Sequence, residues 1–478
     1  MGGKYHIKNG TVLSIDPSLG TIENCDVLID DHIITHVGPN LAPTAPEQYA
    51  VIDATNAIIS PGFVDTHRHT WQTQLRTICS DHVLGDYFLH IRSIYGSCYS
   101  DKDAYLGNYC GALESIDNGI TLLIDHSHIM NSPDHADAAV KGLRDAKIRA
   151  VFCYGLYINP AWPGSCMDQD RETKTPEWRF EDAKRVRETL FKSNKPTDLV
   201  RFGFAPAEIE RGGIDDAIKE VEYGRSLGSA IITGHVSMGK YDRGLHLVRN
   251  FEERSLLGPD LLFSHCASLH DDELEAVGKR GVSLSSTPDT EIQMGMGHPI
   301  AFKAKGKGCT ASIGIDVVSN NPADMFQQMR LLLQAQRHLE HYAQDGPPWT
   351  ISRRCAEVLE MATMGGAKAV GLKDVVGSIT PGKRADLIIT RCDSTRLTPV
   401  HDPVAALVLY ANASDIDTVL IDGEMVKHQG QLVGVDWPKV RAELRDSAEN
   451  IMQRSKKAPF EQIKDAVIAA MRAFAGSA

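Results

Sequence analysis

Two histidines one residue apart, His67 and His69, are the side chains in this sequence best spaced to share a cation. They follow the apolar run Ile58-Ile59-Ser60-Pro61-Gly62-Phe63-Val64-Asp65, which predicts a β-strand ending at Asp65 or Thr66. In an extended segment, side chains i and i+2 point the same way, so both imidazoles can converge while Arg68 faces elsewhere. Imidazole is the commonest metal ligand and suits Zn, Fe or Ni. Three later strand-like runs end in residues of the same competence: Ile231-Ile232-Thr233-Gly234 leads to His235, Leu262-Phe263-Ser264 to His265, and Ser312-Ile313-Gly314-Ile315 to Asp316. Singly, each is an ordinary hydrogen-bonded strand end. Together at the ends of strands of one sheet they point to a cation site.

The elements that must carry these residues alternate. Strand-like runs recur at Phe63–Asp65, Ile120–Asp125, Ala150–Tyr154, Val200–Ala205, Ala230–Thr233, Leu261–Ser264, Val282–Ser285 and Ala311–Ile315, with helix-like stretches between most of them. Eight strand–helix units predict a (β/α)8 TIM barrel, whose active site lies at the C-terminal ends of its strands. One helix is expected to start at Asn321-Pro322, and Met325, Met329, Leu332 and Leu333 are spaced to line its inner face. Both flanks read as β. Tyr5-His6-Ile7-Lys8 and Thr11-Val12-Leu13-Ser14-Ile15 bracket a hairpin signal at Asn9-Gly10, and a second hairpin is expected about Asp30-Asp31. Toward the other end, Ala385–Ile389, Val404–Tyr410 and Thr418–Ile421 read as strands, the last followed by the turn Asp422-Gly423. The expected organisation is a small β-sandwich domain formed from both termini (residues 1–58 and 376–435), a barrel over 59–375, and C-terminal helices over 436–478.

Composition narrows the class. The 478 residues carry a formal charge of −12 and no Lys/Arg run, which argues against nucleic-acid binding. No apolar segment approaches 18 residues and the first residues have no apolar core, so neither a membrane span nor a signal peptide is expected. Ten cysteines are scattered without a CxxC pair, which fits reduced, mostly buried thiols and a cytoplasmic location.

The chain resembles the amidohydrolase superfamily, in the branch of triazine hydrolases and of guanine and S-adenosylhomocysteine deaminases. The resemblance rests on Val51-Ile52-Asp53-Ala54, on Pro61-Gly62-Phe63-Val64-Asp65-Thr66-His67-Arg68-His69, on Gly377-Ser378-Ile379 and on Pro381-Gly382-Lys383-Arg384-Ala385-Asp386-Leu387-Ile388, and it spans nearly the whole chain. It implies one divalent metal ion per chain, with Zn favoured and Fe the alternative, bound by His67, His69, His235 and Asp316. His265 would polarise the substrate, and Asp316 would also accept the proton of the attacking water. Binuclear members carry a carboxylated lysine at the end of strand 4. Here that strand runs Arg201-Phe202-Gly203-Phe204-Ala205-Pro206, which predicts a single metal. The resemblance and the helical tail also suggest a homodimer or homotetramer.

The pattern breaks once. In the deaminase branch, a Glu three residues after the strand-5 His moves a proton from the water to the leaving nitrogen, but here that position is Met238. Glu291, in the loop-like segment after strand 7, is the candidate replacement, against the alternative of a solvated loop carboxylate. Asp316 with His265 alone is a further option. Trp71 and Gln72, just after the ligand pair, are candidate substrate contacts, the first by stacking on a planar ring and the second by hydrogen bonding. His128, in His126-Ser127-His128 after strand 2, and His298, in a Gly-rich loop, are candidates of the same kind.

The expected activity is metal-dependent hydrolysis of a carbon–nitrogen bond, by deamination or by amide or cyclic-amide hydrolysis, in a small planar heteroaromatic substrate. The alternatives are lyase chemistry or loss of a non-nitrogen leaving group at the same metal, and a scaffold without catalysis. Ammonia release separates the first two, and metal content separates both from the third.

Overall fold

The computed structural model describes residues 2–210 and 212–475. Its larger unit is an eight-stranded sheet in which neighbouring strands run parallel: β1 (Phe63–Arg68), β2 (Ile120–Ser127), β3 (Arg149–Gly155), β4 (Val200–Ala205), β5 (Ile232–Val236), β6 (Leu261–His265), β7 (Ser283–Ser286) and β8 (Thr310–Ile313). The strands are short and apolar because both faces are covered, by helices outside and by the barrel core inside. The sheet curls until its ends meet. Asp316 N donates to the His67 carbonyl (2.8 Å) and His69 N to the Asp316 carbonyl (2.9 Å). A side chain at Gly314 would meet the His67 backbone at 2.8 Å, so only glycine lets β8 come this close to β1.

The termini build one mixed sheet beside the barrel. Ala57–Pro61, which leads into β1, pairs antiparallel with Leu387–Arg391, and on either side lie strands from the first 53 residues and from residues 416–432. Ile7, Val27, Ile59, Leu387 and Leu420 belong to the separate apolar core of this domain. It is tied to the barrel where Arg149, buried at the start of β3, donates twice to Asp386 (2.7 and 3.0 Å). The C-terminal helix Trp437–Ser455 returns to the barrel, where Ser447 Oγ donates to Asp103 (2.6 Å) and Gln74 Nε2 to Ser447 Oγ (3.0 Å). No helix among the described residues is long and apolar enough to cross a membrane. The ten cysteines are unpaired, eight of them buried.

Three local expectations fail. Asn9-Gly10 is not a hairpin: Tyr5–Leu13 is one strand, and Asn9 (φ 63°) shifts its register as a bulge. Residues 403–410 are helical, since a strand signal from β-branched and aliphatic residues does not distinguish a short buried helix. The helix expected from Asn321 begins at Met325, capped by Asp324, whose carboxylate accepts from Gln327 N (3.2 Å). The Asn321 amide instead donates to the Ile315 carbonyl (3.3 Å), holding the end of β8. The inner face of that helix is as expected, with Met325, Met329, Leu332 and Leu333 buried.

Candidate metal centre

The strand ends bring His67, His69, His235, His265 and Asp316 to one point at the C-terminal mouth of the barrel. His67 and His69 converge there, while Arg68 turns outward and donates to Glu114 (2.9 Å). His265 (φ 72°) and Asp316 (φ 68°) both sit in left-handed conformations that cost about 1–3 kcal/mol each, strain of the kind that aims a side chain at a functional point.

The donor atoms are spaced as ligands. His67 Nε2 lies 3.3 Å and His69 Nε2 3.4 Å from Asp316 Oδ1, and His235 Nε2 lies 3.3 Å from His69 Nε2. Bonds of 2.0–2.2 Å around a tetrahedral ion place ligand atoms about 3.4 Å apart. The outer nitrogens are already committed. His69 Nδ1 donates to the His126 carbonyl (2.7 Å), His67 Nδ1 meets Ser264 Oγ (2.8 Å), and His235 Nδ1 faces Glu208 (3.3 Å) and the Tyr157 hydroxyl (3.2 Å). These contacts turn the Nε2 lone pairs inward, as outer partners do around metal-bound imidazoles. His67 Nε2 is buried and has no hydrogen-bond partner among the described residues. A divalent cation satisfies all four atoms at once, so the donor set fits the implied metal.

Electrostatics agree. Burial pushes the His67 imidazole down to about 4 and His69 well below its ordinary value, so both present lone pairs at neutral pH. Burial pushes the Asp316 carboxyl up, but the imidazoles of His67, His265 and His69 outweigh it and keep Asp316 ionised. Below the ligands, Asp65 accepts from Ile315 N (3.0 Å) and His67 N (3.3 Å), locking β1 to β8.

His265 stands beside the ligand cluster with its Nδ1 turned to Thr287 Oγ1 (3.1 Å) and Glu291 Oε1 (3.5 Å). Burial lowers its pKa, yet Glu291 and Asp316 bring it above the ordinary value. Glu291 is not a solvated loop carboxylate. It lies in the short helix Pro288–Gln293, is fully buried, and accepts from Thr287 N (2.8 Å). Burial raises its pKa.

Above the ligands opens a narrow pocket, with Leu84, Tyr87, Phe88, Met294 and Met296 among its apolar walls and His128, Arg92 and Glu208 as polar points. Met238 lines it too, so the side chain that interrupts the deaminase pattern faces the substrate space. Of the four candidate substrate contacts, only His128 lines this cavity. Trp71 is fully buried behind it and donates to His128 Nδ1 (2.9 Å), because its ring packs edge-on against Tyr99 in the core rather than at the rim. Gln72 is spent on its neighbours, donating to Tyr87 Oη (2.7 Å) and accepting from Ser319 (2.8 Å). His298 is on the surface, against Gln336 (3.0 Å).

Sequence reading missed Glu208, Arg92 and Tyr157. Glu208 follows β4 by three residues, the position from which a strand-end residue reaches the mouth, and that placement was available in the sequence. Arg92 donates to the His128 carbonyl (3.0 Å) and lies over the Tyr157 ring (5.1 Å); nothing in its local sequence marks it.

A parallel barrel with three imidazoles and a carboxylate converging at its strand ends is a frame in which a divalent cation can activate water. A model of the amidohydrolase family matches residues 58–426, and the chain belongs to that family. Among its relatives, a 5'-deoxyadenosine deaminase of Methanosarcina barkeri is 28% identical over 457 residues, covering 94% of this chain and 98% of the relative. A 5-methylthioadenosine/S-adenosylhomocysteine deaminase of Pyrococcus furiosus is 28% identical, over 91% of this chain and 97% of its own. Among solved structures, a zinc-bound adenosine deaminase from Xanthomonas campestris superposes with a TM-score of 0.80 at 22% identity, covering 94% of this chain and 99% of that one. A zinc complex of an atrazine chlorohydrolase from Arthrobacter aurescens TC1 gives 0.77 at 20% identity, over 93% and 100%. The chain is an enzyme of the amidohydrolase type, a metal-dependent hydrolase of carbon–nitrogen bonds.

Proposed function

We propose that this enzyme deaminates a planar heteroaromatic ring of the adenine type, using one zinc ion held by His67, His69, His235 and Asp316. The observation that carries this reading is the set of 3.3–3.4 Å separations among those donor atoms, placed beneath a pocket walled by Leu84, Tyr87, Phe88, Met294 and Met296. The deaminase relatives support the leaving group, and the absence of Lys at the end of β4 supports a single ion.

Held by His67, His69, His235 and Asp316, a zinc ion would supply the Lewis acidity that makes water a nucleophile near neutral pH. The chain does the rest. Asp316 takes the proton of the attacking water as the new C–O bond forms. His265, backed by Glu291 and Thr287, presents its other ring nitrogen to the cavity and hydrogen-bonds the ring atom that gains negative charge. The C–N bond then breaks, and the departing nitrogen takes a proton and leaves as ammonia. Asp316 and the His265–Glu291 pair provide that proton in place of the glutamate whose position Met238 occupies. The low-dielectric cavity strengthens each of these contacts.

Met238 favours a second reading: with a hydrophobe where the proton carrier stands in deaminases, the site suits a leaving group that departs as an anion, such as halide. The test is to incubate zinc-loaded enzyme with adenosine, 5'-deoxyadenosine and a chloro-substituted triazine, and to measure ammonia and chloride. Ammonia from a purine nucleoside supports deamination. Chloride without ammonia overturns it in favour of the second reading.

A further inference from the structure

The loops after β5 and β6 bring together a second group of metal-competent side chains, outside the barrel centre: His246, His270 and Glu273, whose donor atoms all lie within 4.8 Å of one another. His246 precedes the helix Leu247–Glu253, and His270 precedes the helix Asp271–Arg280, whose first turn contains Glu273. Glu273 is unusual for a carboxylate, being only 2% exposed. Its Oε2 accepts from His270 N (3.0 Å), but its Oε1 is buried with no hydrogen-bond partner among the described residues. Such an orphaned acceptor costs about 1–3 kcal/mol. His246 Nδ1 stands 3.6 Å from it, too far for a hydrogen bond and close to the roughly 3.4 Å that separates two ligands of one tetrahedral ion. The His270 ring lies beside that of His246, with centroids 5.5 Å apart. His246 holds a left-handed conformation (φ 47°), a strained backbone that delivers its imidazole to this point.

We infer that His246, His270 and Glu273 form a second divalent-metal site of the zinc class, on the rim of the barrel mouth. Two imidazoles and one carboxylate, with water completing the shell, are a donor set for Zn and its neighbours rather than for Mg or Ca. Its ion binds independently of the central one. The His246 side chain is 41% exposed, so the ion exchanges with solvent. Occupancy ties the loop that carries Met238 to the loop that begins at His265, so it stiffens one wall of the cavity.

The test is equilibrium dialysis of the full-length enzyme against micromolar zinc, followed by elemental analysis of zinc per chain. The proteins are wild type, His67→Ala, His246→Ala/His270→Ala, and Glu273→Gln, each checked for a native circular-dichroism spectrum. The rim variants are expected to bind one zinc fewer than wild type. His67→Ala also loses zinc, but from the barrel centre, and combining it with the rim pair removes both ions. Glu273→Gln keeps the shape of the side chain and tests the site even if the double variant folds poorly. If the rim pair and Glu273→Gln both hold as much zinc as wild type, the rim site does not exist. Zinc loss in His67→Ala is read separately, so failure of the central assignment cannot be mistaken for failure of this one.

Discussion

His69 Nε2 and His235 Nε2 face each other across 3.3 Å at the mouth of the barrel, each with its other ring nitrogen turned outward to an oxygen. Each ring is thereby oriented with its Nε2 toward the same point, at the separation expected of two ligands of one tetrahedral ion. The contact therefore supports the proposed metal centre more sharply than the presence of the histidines does.

The ligand assignment predicts that His67→Ala loses bound metal and turnover together. Elemental analysis and an ammonia assay on the same preparation check it, and full zinc with full turnover would remove His67 from the ligand set. The partners behind the ligands predict a graded effect. Ser264→Ala and Tyr157→Phe unhook His67 and His235, and each should weaken zinc affinity by about 10–100-fold without abolishing binding. Competition with a chromogenic chelator measures this.

Glu291→Gln preserves shape and removes the charge behind His265. If the pair assists proton transfer, kcat falls by about 10²–10⁴-fold while zinc content stays normal. An unchanged kcat would leave Glu291 a packing residue.

Met238 faces the cavity but carries no proton. Met238→Leu nearly conserves volume and should change kcat/KM by no more than about 1.5 kcal/mol, roughly tenfold, chiefly through KM. A collapse of kcat at unchanged KM would show that the sulfur takes part in chemistry.

Acid should act on the metal-free enzyme through His67. Its imidazole titrates near 4 when folded and near 6.5 when unfolded, so between those values the unfolded chain binds more protons. Stability contributed by the neutral, buried ring is present above about pH 6.5 and is lost as pH falls toward 4. Relative to a non-titrating His67→Asn variant, metal-free wild type should therefore lose about 3 kcal/mol over that range. Urea melts of both proteins at several pH values measure the difference, and parallel pH profiles would contradict it.

Much of this was legible in the sequence because period and strand-end chemistry are local. The apolar runs before His67, His235, His265 and Asp316 mark both a strand and its end, and barrel topology then brings those ends together. What sequence reading missed depends on side-chain direction. Trp71 looked like a substrate contact because it follows a ligand, but the chain turns there into a short buried helix and the indole points into the core. Glu291 is a candidate from its place after strand 7, but its polar neighbours leave a solvated carboxylate equally open, and only the fold shows its side chain turned back onto Thr287 N. Arg92 and Tyr157 reach the site from positions 23 and 78 residues away from the nearest ligand in sequence, and no periodicity records such a contact.

The most direct test of the central claim is ammonia release from a purine nucleoside by the enzyme as purified, after removal of its metal, and after zinc is restored. The account predicts that release is present, abolished by stripping, and recovered with zinc. Ammonia production that survives complete metal removal, or zinc-loaded enzyme that cleaves no carbon–nitrogen bond in any heteroaromatic amine or cyclic amide tried, would contradict it.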